Sequence, residues 1–192
     1  MNIIIFGPPG AGKGTQSDFI VKRHDLFHVS TGDLLRNEIK KKTPLGEQIS
    51  SIVNKGSLVS DEIVSTLIRN VVSIVEYKNR FIFDGYPRNL LQAKNLDKIL
   101  NENEQKIDLV LKLSVSLDTI KKRILERQVL EKRADDNEEI AIKRFKTYEK
   151  STEPVIEFYD KSKLLKVVNG ESSIDQINME ISGLIDSIKG WQ

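Results

Sequence analysis

Lys13, Asp84 and a dispersed set of arginines are the residues whose types and surroundings could do chemistry, and that chemistry concerns phosphate. Lys13 sits in Gly7-Pro8-Pro9-Gly10-Ala11-Gly12-Lys13-Gly14-Thr15. Glycines let backbone N–H groups approach phosphate oxygens, a following helix N-terminus adds partial positive charge, and the lysine reaches the outer phosphates. The run approximates G-x-x-x-x-G-K-[ST], but Gly14 follows the lysine and the hydroxyl arrives one residue late, as Thr15. A plain glycine-rich turn carrying a solvated lysine is the bland alternative. Context argues against it: an apolar, β-branched run (Ile3 to Phe6) precedes the loop, and a helical pattern follows from Lys13.

Asp84 closes a second apolar run, Arg80 to Phe83. An acid at such a strand end can hold Mg²⁺, directly or through water, in phosphoryl-transfer sites. Alone it could equally make a turn hydrogen bond; beside a phosphate loop the metal reading is favoured. The arginines number nine: Arg23, Arg36, Arg69, Arg80, Arg88, Arg123, Arg127, Arg133 and Arg144. Arg123 and Arg127 are four apart and share a helix face. Arg133 follows in a charged stretch, and Arg144 lies on the next helical segment. Guanidinium forks suit phosphate oxygens, and phosphoryl transfer needs charge neutralisation more than a covalent partner. Any single arginine fits a solvated face with neighbours such as Glu126 and Glu131; the whole set fits two phosphate chains meeting end to end.

The elements that must position these groups alternate. Strands are expected at Ile3 to Phe6, Phe27 to Val29, Arg80 to Asp84, Leu109 to Val115 and Leu164 to Val168. Between them the spacing predicts helices from Lys13, from Leu34 to Lys42, from Leu45 to Asn54 and from Ile63 to Val75, the last preceded by a Ser60 cap and two acids. Further helices are expected at Asn89 to Glu102, from Leu117 through Leu125 behind Ser116, at Glu138 to Tyr148 and from Pro154 through Tyr159. The final helix opens on the capping box Ser173-Ile-Asp-Gln176 and ends near Gly190. Residues 128–137 read as an exposed charged loop. Alternating strands and helices imply an α/β fold with a parallel sheet covered on both faces, and ligands at the strands' carboxyl ends. Gly7–Thr15, Ser30–Asp33 and Asp84–Arg88 should therefore meet at one crevice.

The totals bound the alternatives. The chain has 192 residues with 39% hydrophobic content, enough for one domain with small inserts. Thirty Lys+Arg against 28 Asp+Glu leave a formal charge of +2, which gives no footprint for nucleic-acid or membrane binding. No apolar run is long enough to span a bilayer, and no leader pattern opens the sequence. The absence of cysteine excludes thiol catalysis and cysteine-ligated zinc, and fits a cytoplasmic location. Two histidines, His24 and His28, make a histidine metal site improbable.

Taken together, Gly7 to Gln16, Ser30-Thr-Gly-Asp-Leu-Leu-Arg36, Gly56-Ser-Leu-Val59, Asp84-Gly-Tyr-Pro-Arg88 with Gln92, and Arg133-Ala-Asp-Asp136 resemble adenylate kinase, in order and spacing, over the whole chain. The resemblance implies a P-loop three-layer α/β fold with a five-stranded parallel sheet, a helical AMP-binding insert and a short lid. It implies reversible transfer from Mg·ATP to AMP, giving two ADP, by a monomer with no zinc. Carried over residue by residue, Gly10, Ala11, Gly12, Lys13, Gly14 and Thr15 would hold the ATP phosphates. Thr31, Arg36, Ser57, Leu58, Val59, Gly85, Tyr86, Pro87, Arg88 and Gln92 would form the AMP site, with Gln92 reading the adenine edge and Arg36 and Arg88 gripping the phosphate. Arg123 would lie against the ATP base and Arg127 on its phosphates; the backbone near Ser172 would touch that base. Arg133 and Arg144 would neutralise the transferred group, and Asp84 would orient Mg²⁺ through water.

The resemblance also divides the chain into a core (1–29, 60–126, 138–192), an AMP-binding segment (30–59) and a lid (127–137). Only five residues separate Arg127 from Arg133, which resembles the short-lid form. Closure would exclude water and so suppress hydrolysis. Two positions depart from the common family pattern: Asn89 where threonine is usual, and Tyr86 where phenylalanine is usual. Asn89 also occurs in the UMP/CMP kinases, whereas Thr31 and Gln92 favour AMP. A UMP/CMP-type kinase and a non-catalytic nucleotide switch are the competing readings. The switch lacks support, because Lys13, Asp84 and Arg88 are all present and no Asn-Lys-x-Asp guanine reader occurs.

Overall fold

The computed structural model describes residues 1–131 and 137–188. Five strands, β1 (Ile3–Phe6), β2 (Phe27–Ser30), β3 (Phe81–Asp84), β4 (Leu109–Ser114) and β5 (Leu165–Asn169), form one sheet in the order β2-β3-β1-β4-β5. Every pairing is parallel. Alternation along the strands divides the core between the two faces. Ile4, Phe6, Val29, Phe81, Phe83 and Val110 face one cluster, while Ile3, Ile5, Ile82, Leu109, Leu111 and Leu113 face the other. Both faces are covered, which is why these strands read as continuous apolar runs.

The chain leaves β1 for β2 on one side and later crosses to β4 on the other. The crevice at the carboxyl end of β1 is thus the topological switch point, where open α/β sheets bind ligands. Register brings its walls level: Ile5 pairs with Asp84, and Ser30 with Asp84.

The helices are α1 (Lys13–His24), α2 (Thr31–Lys40), α3 (Pro44–Asn54), α4 (Asp61–Val72), α5 (Leu90–Glu102), α6 (Leu117–Glu131), α7 (Glu138–Ser151), α8 (Glu153–Asp160) and α9 (Ile174–Asp186). Helices α2 and α3 form the insert between β2 and α4. They approach closely at Gly46, where a Cβ would lie 2.1 Å from the Glu38 carbonyl oxygen, so only glycine fits that crossing. The turn after α3 carries Gly56 at φ 65° and is tied to α7: Lys143 Nζ donates to the Lys55 carbonyl at 2.8 Å and to Ser57 Oγ at 3.1 Å.

Several boundaries differ from the expectations. α2 begins at Thr31, three residues early, because Ser30 Oγ accepts from the Asp33 backbone N–H and supplies the cap. α4 stops at Val72; a separate 3₁₀ turn covers Val75–Tyr77, and Val75 lies 83% exposed. Ser60 is the N-cap residue of α4, but its side chain makes no capping bond. α6 runs on to Glu131 through what reads as loop, since Gln128 to Glu131 contains neither Gly nor Pro to end it. The described part of the final helix ends at Asp186, and Trp191 lies outside the described residues. The Ser173–Gln176 capping box is present as expected.

Candidate active site

The loop after β1 turns on two glycines in left-handed backbone, Gly10 (φ 85°) and Gly12 (φ 92°), the second being the N-cap of α1. α1 opens with no acidic residue in its first turn, so its N-terminal N–H groups face the crevice without a competing carboxylate. Lys13 Nζ bends back over the loop and donates to the Gly7 carbonyl at 2.8 Å and the Pro8 carbonyl at 3.2 Å. It stands 3.9 Å from Asp84. Burial pushes the Lys13 ammonium below the ordinary lysine range; Asp84 opposes the shift, while Arg88, Arg127 and Arg144 add to it.

Asp84 ends β3 as a carboxylate held below its usual range. Burial alone would raise it, but Lys13, His28 and Arg88 outweigh that effect. His28 is the neighbour that sequence reasoning set aside. It lies on β2 two residues before Ser30, the register partner of Asp84, and so shares a face with that carboxylate, at 3.6 Å. That is an ion-pair rather than a hydrogen-bond distance. Burial depresses the imidazole, yet the facing Asp84 carboxylate, with Asp18 and Asp33, raises it overall. Strand parity, not any motif, is the signal that could have identified it.

These groups line a cavity of about 920 Å³ at the strand ends. Gly10 to Thr15, Thr31, Arg36, Ser57, Leu58, Val59, Asp84, Gly85, Pro87, Arg88, Gln92, Arg123, Arg127, Arg144 and Ser172 all contribute to its wall, so nearly the whole expected set converges. The arginines separate cleanly. Arg23, Arg69 and Arg80 pair on the surface with Asp186, Glu102 and Asp25, whereas Arg36, Arg88, Arg123, Arg127 and Arg144 surround the cavity. Arg123 clamps two backbone segments, donating to Ala11 at 3.3 Å and Gly170 at 2.9 Å. Arg133 falls outside the described residues.

On the opposite wall, Gly85 (φ 74°) turns the chain so that its carbonyl accepts from Thr31 Oγ1 at 2.8 Å and Arg88 Nε at 2.7 Å. Burial and the nearby Arg144 lower the Arg88 guanidinium from its ordinary value, Asp84 working against them. Tyr86 differs from its neighbours in the direction of its side chain. It is 1% exposed, packs in the core with its hydroxyl 3.4 Å from Ser65, and is not part of the cavity wall. Asn89 is likewise engaged elsewhere: its Oδ1 accepts from the Gln92 backbone N–H at 2.8 Å and its Nδ2 donates to Asp61.

No group of three or more His, Cys, Asp or Glu among the described residues could hold a metal. One buried carboxylate beside a phosphate loop instead suits Mg²⁺, which keeps waters and takes one or two carboxylates plus phosphate oxygens. The arrangement can therefore hold two phosphate groups face to face, with the loop and Lys13 on one side and Arg36 and Arg88 on the other.

Comparison with known proteins agrees with this geometry. A family model described as adenylate kinase matches residues 5–164. The chain is 46% identical over 211 aligned positions to the adenylate kinase of Pelagibacter ubique, covering 96% of this chain and 99% of that protein. It is 39% identical to the adenylate kinase of Bacteroides thetaiotaomicron, covering 98% of this chain and all of that protein, and 36% identical to that of Porphyromonas gingivalis, covering 98% and 97%.

Proposed function

This chain belongs to the adenylate kinase family, and on that footing we propose how its own residues divide the work of ATP:AMP phosphotransfer. The reaction is reversible transfer of a phosphoryl group from ATP to AMP, giving two ADP. The observation that carries the division of labour is the single cavity walled by the Gly10–Thr15 loop on one side and by Thr31, Arg36, Gly85, Arg88 and Gln92 on the other.

Backbone N–H groups of the loop and the N-terminus of α1 hold the ATP phosphates. Lys13 swings from the Gly7 and Pro8 carbonyls to the phosphate being transferred. Arg36 and Arg88 grip the AMP phosphate; Arg127, Arg133 and Arg144 neutralise charge as the phosphoryl group passes. Arg123 and the Ser172 backbone border the ATP base. A magnesium ion arriving with ATP would neutralise further charge, and Asp84 would orient it through its water shell. The charges precede the substrates, so little reorganisation is needed when the reaction occurs.

Residues 30–59 act as the AMP-binding segment and 127–137 as a short lid that excludes water on closing; the remainder is core. No helix among the described residues is long and apolar enough to cross a membrane. From the family resemblance, we propose a cytoplasmic monomer. The CMP/UMP acceptor reading loses its sequence cue, because Asn89 caps α5 and pairs with Asp61 rather than lining the cavity.

Backbone-amide NMR titration tests this division. AMP alone should move the amides of Thr31, Gly85 and Gln92 most, and ATP alone those of Gly10 to Thr15. If both nucleotides first shift the same set, the division is wrong.

A further inference from the structure

Asp61, the first residue of α4, is absent from every motif considered above. Its carboxylate nevertheless accepts from Asn89 Nδ2 at 2.9 and 3.1 Å and from Gln92 Nε2 at 2.6 Å. At the other end of the Gln92 amide, Oε1 accepts from the Arg88 backbone N–H at 2.7 Å. A backbone N–H can only donate, and a carboxylate can only accept. Both ends therefore require the same one of the two amide orientations related by a half-turn. Asn89 is fixed by the same logic: its Oδ1 accepts from the Gln92 backbone N–H at 2.8 Å, so its Nδ2 must face Asp61.

An amide nitrogen carries two hydrogens and an amide oxygen two lone pairs. After these contacts Gln92, which lines the cavity, retains one N–H and one lone pair for a ligand. In the orientation held here, that N–H and lone pair complement a base edge with an acceptor next to a donor, as adenine offers at N1 and N6. Hypoxanthine and guanine present the reverse, a donor at N1 and an acceptor at O6. An amide turned by 180° would suit them instead.

This inference rests on the reading of Gln92 as the contact to the acceptor base, and deepens it. We propose that Asp61 is a positioning residue that sets acceptor-base selectivity by holding the Gln92 amide in its adenine-reading orientation. The Arg88 N–H remains as a second constraint, so loss of Asp61 should weaken selectivity rather than abolish it.

The test compares AMP with inosine 5′-monophosphate, which differs from AMP at that edge alone. Asp61→Asn keeps the size but offers both an acceptor and a donor, so that either orientation of the Gln92 amide can be met, and should reduce the AMP:IMP ratio of kcat/KM by on the order of tenfold, with KM for ATP unchanged. Asp61→Ser, which removes the carboxylate without adding an amide, should move the ratio the same way and serves if Asp61→Asn does not fold. A merely structural role would lower both acceptors equally; an unmoved ratio in these variants overturns the proposal. Gln92→Leu separates the two levels. If it leaves the ratio at the parent value, the reading of Gln92 fails and the role of Asp61 fails with it. If Gln92→Leu collapses the ratio while the Asp61 variants do not, Asp61 alone is wrongly assigned.

Discussion

Lys13→Ala should lower kcat with saturating ATP and AMP by roughly three orders of magnitude, about 4 kcal/mol of transition-state stabilisation. The reason lies in where the ammonium stands. It is held between the loop carbonyls and Asp84 at the mouth of the phosphate cradle, where a transferring phosphoryl group gathers charge. Folding gains little from that placement. Burial and three nearby arginines hold the Lys13 pKa below its unfolded value, which opposes folding, while the same charge helps hold the Asp84 carboxylate below its usual range, which favours it. The two effects oppose, so the variant should melt within a few degrees of the parent. A variant that is well folded and turns over at a near-parental rate would remove Lys13 from the mechanism.

Arg88→Ala should raise the dissociation constant for AMP about a hundredfold or more while changing that for ATP only a few-fold. Arg88 borders the Thr31–Gly85–Gln92 side of the cavity, and its Nε is anchored on the Gly85 carbonyl at 2.7 Å, which orients the fork. It is also a half-buried cation beside Arg144, an arrangement that an incoming phosphate dianion relieves. Calorimetry with each nucleotide alone checks the asymmetry. Equal weakening of both would mean that Arg88 lies between the nucleotides, and the AMP side of the site would need reassignment.

Much of the fold and most of the cavity wall were legible in the residues because local and global signals agree. Ile3 to Phe6 followed by glycines can only be a buried strand entering a turn, and Asp84 closes Phe81–Phe83 in the same way. The arginines were harder. Nothing in their types separates Arg69, paired with Glu102 on the surface, from Arg144 in the cavity; only the packing of α7 against the insert does. Tyr86 shows what a motif position alone does not reveal: the turn at Gly85 sends that ring into the core. His28 and Asp61 were missed because their roles depend on pairing across elements. His28 meets Asp84 through strand register, and Asp61 meets Gln92 across 31 residues of sequence. The overrun of α6 to Glu131 has a simpler origin, since charge without apolar period was read as loop although no breaker occurs.

The most direct test of the central claim is a phosphotransfer assay with Mg·ATP as donor and AMP, CMP, UMP or GMP, each alone, as acceptor. The account predicts ADP formation that strongly prefers AMP, with two ADP produced for each AMP consumed. A preference for CMP or UMP would leave the phosphate cradle in place but contradict the acceptor site built on Thr31 and Gln92. ATP binding without transfer to any acceptor would contradict the enzyme itself.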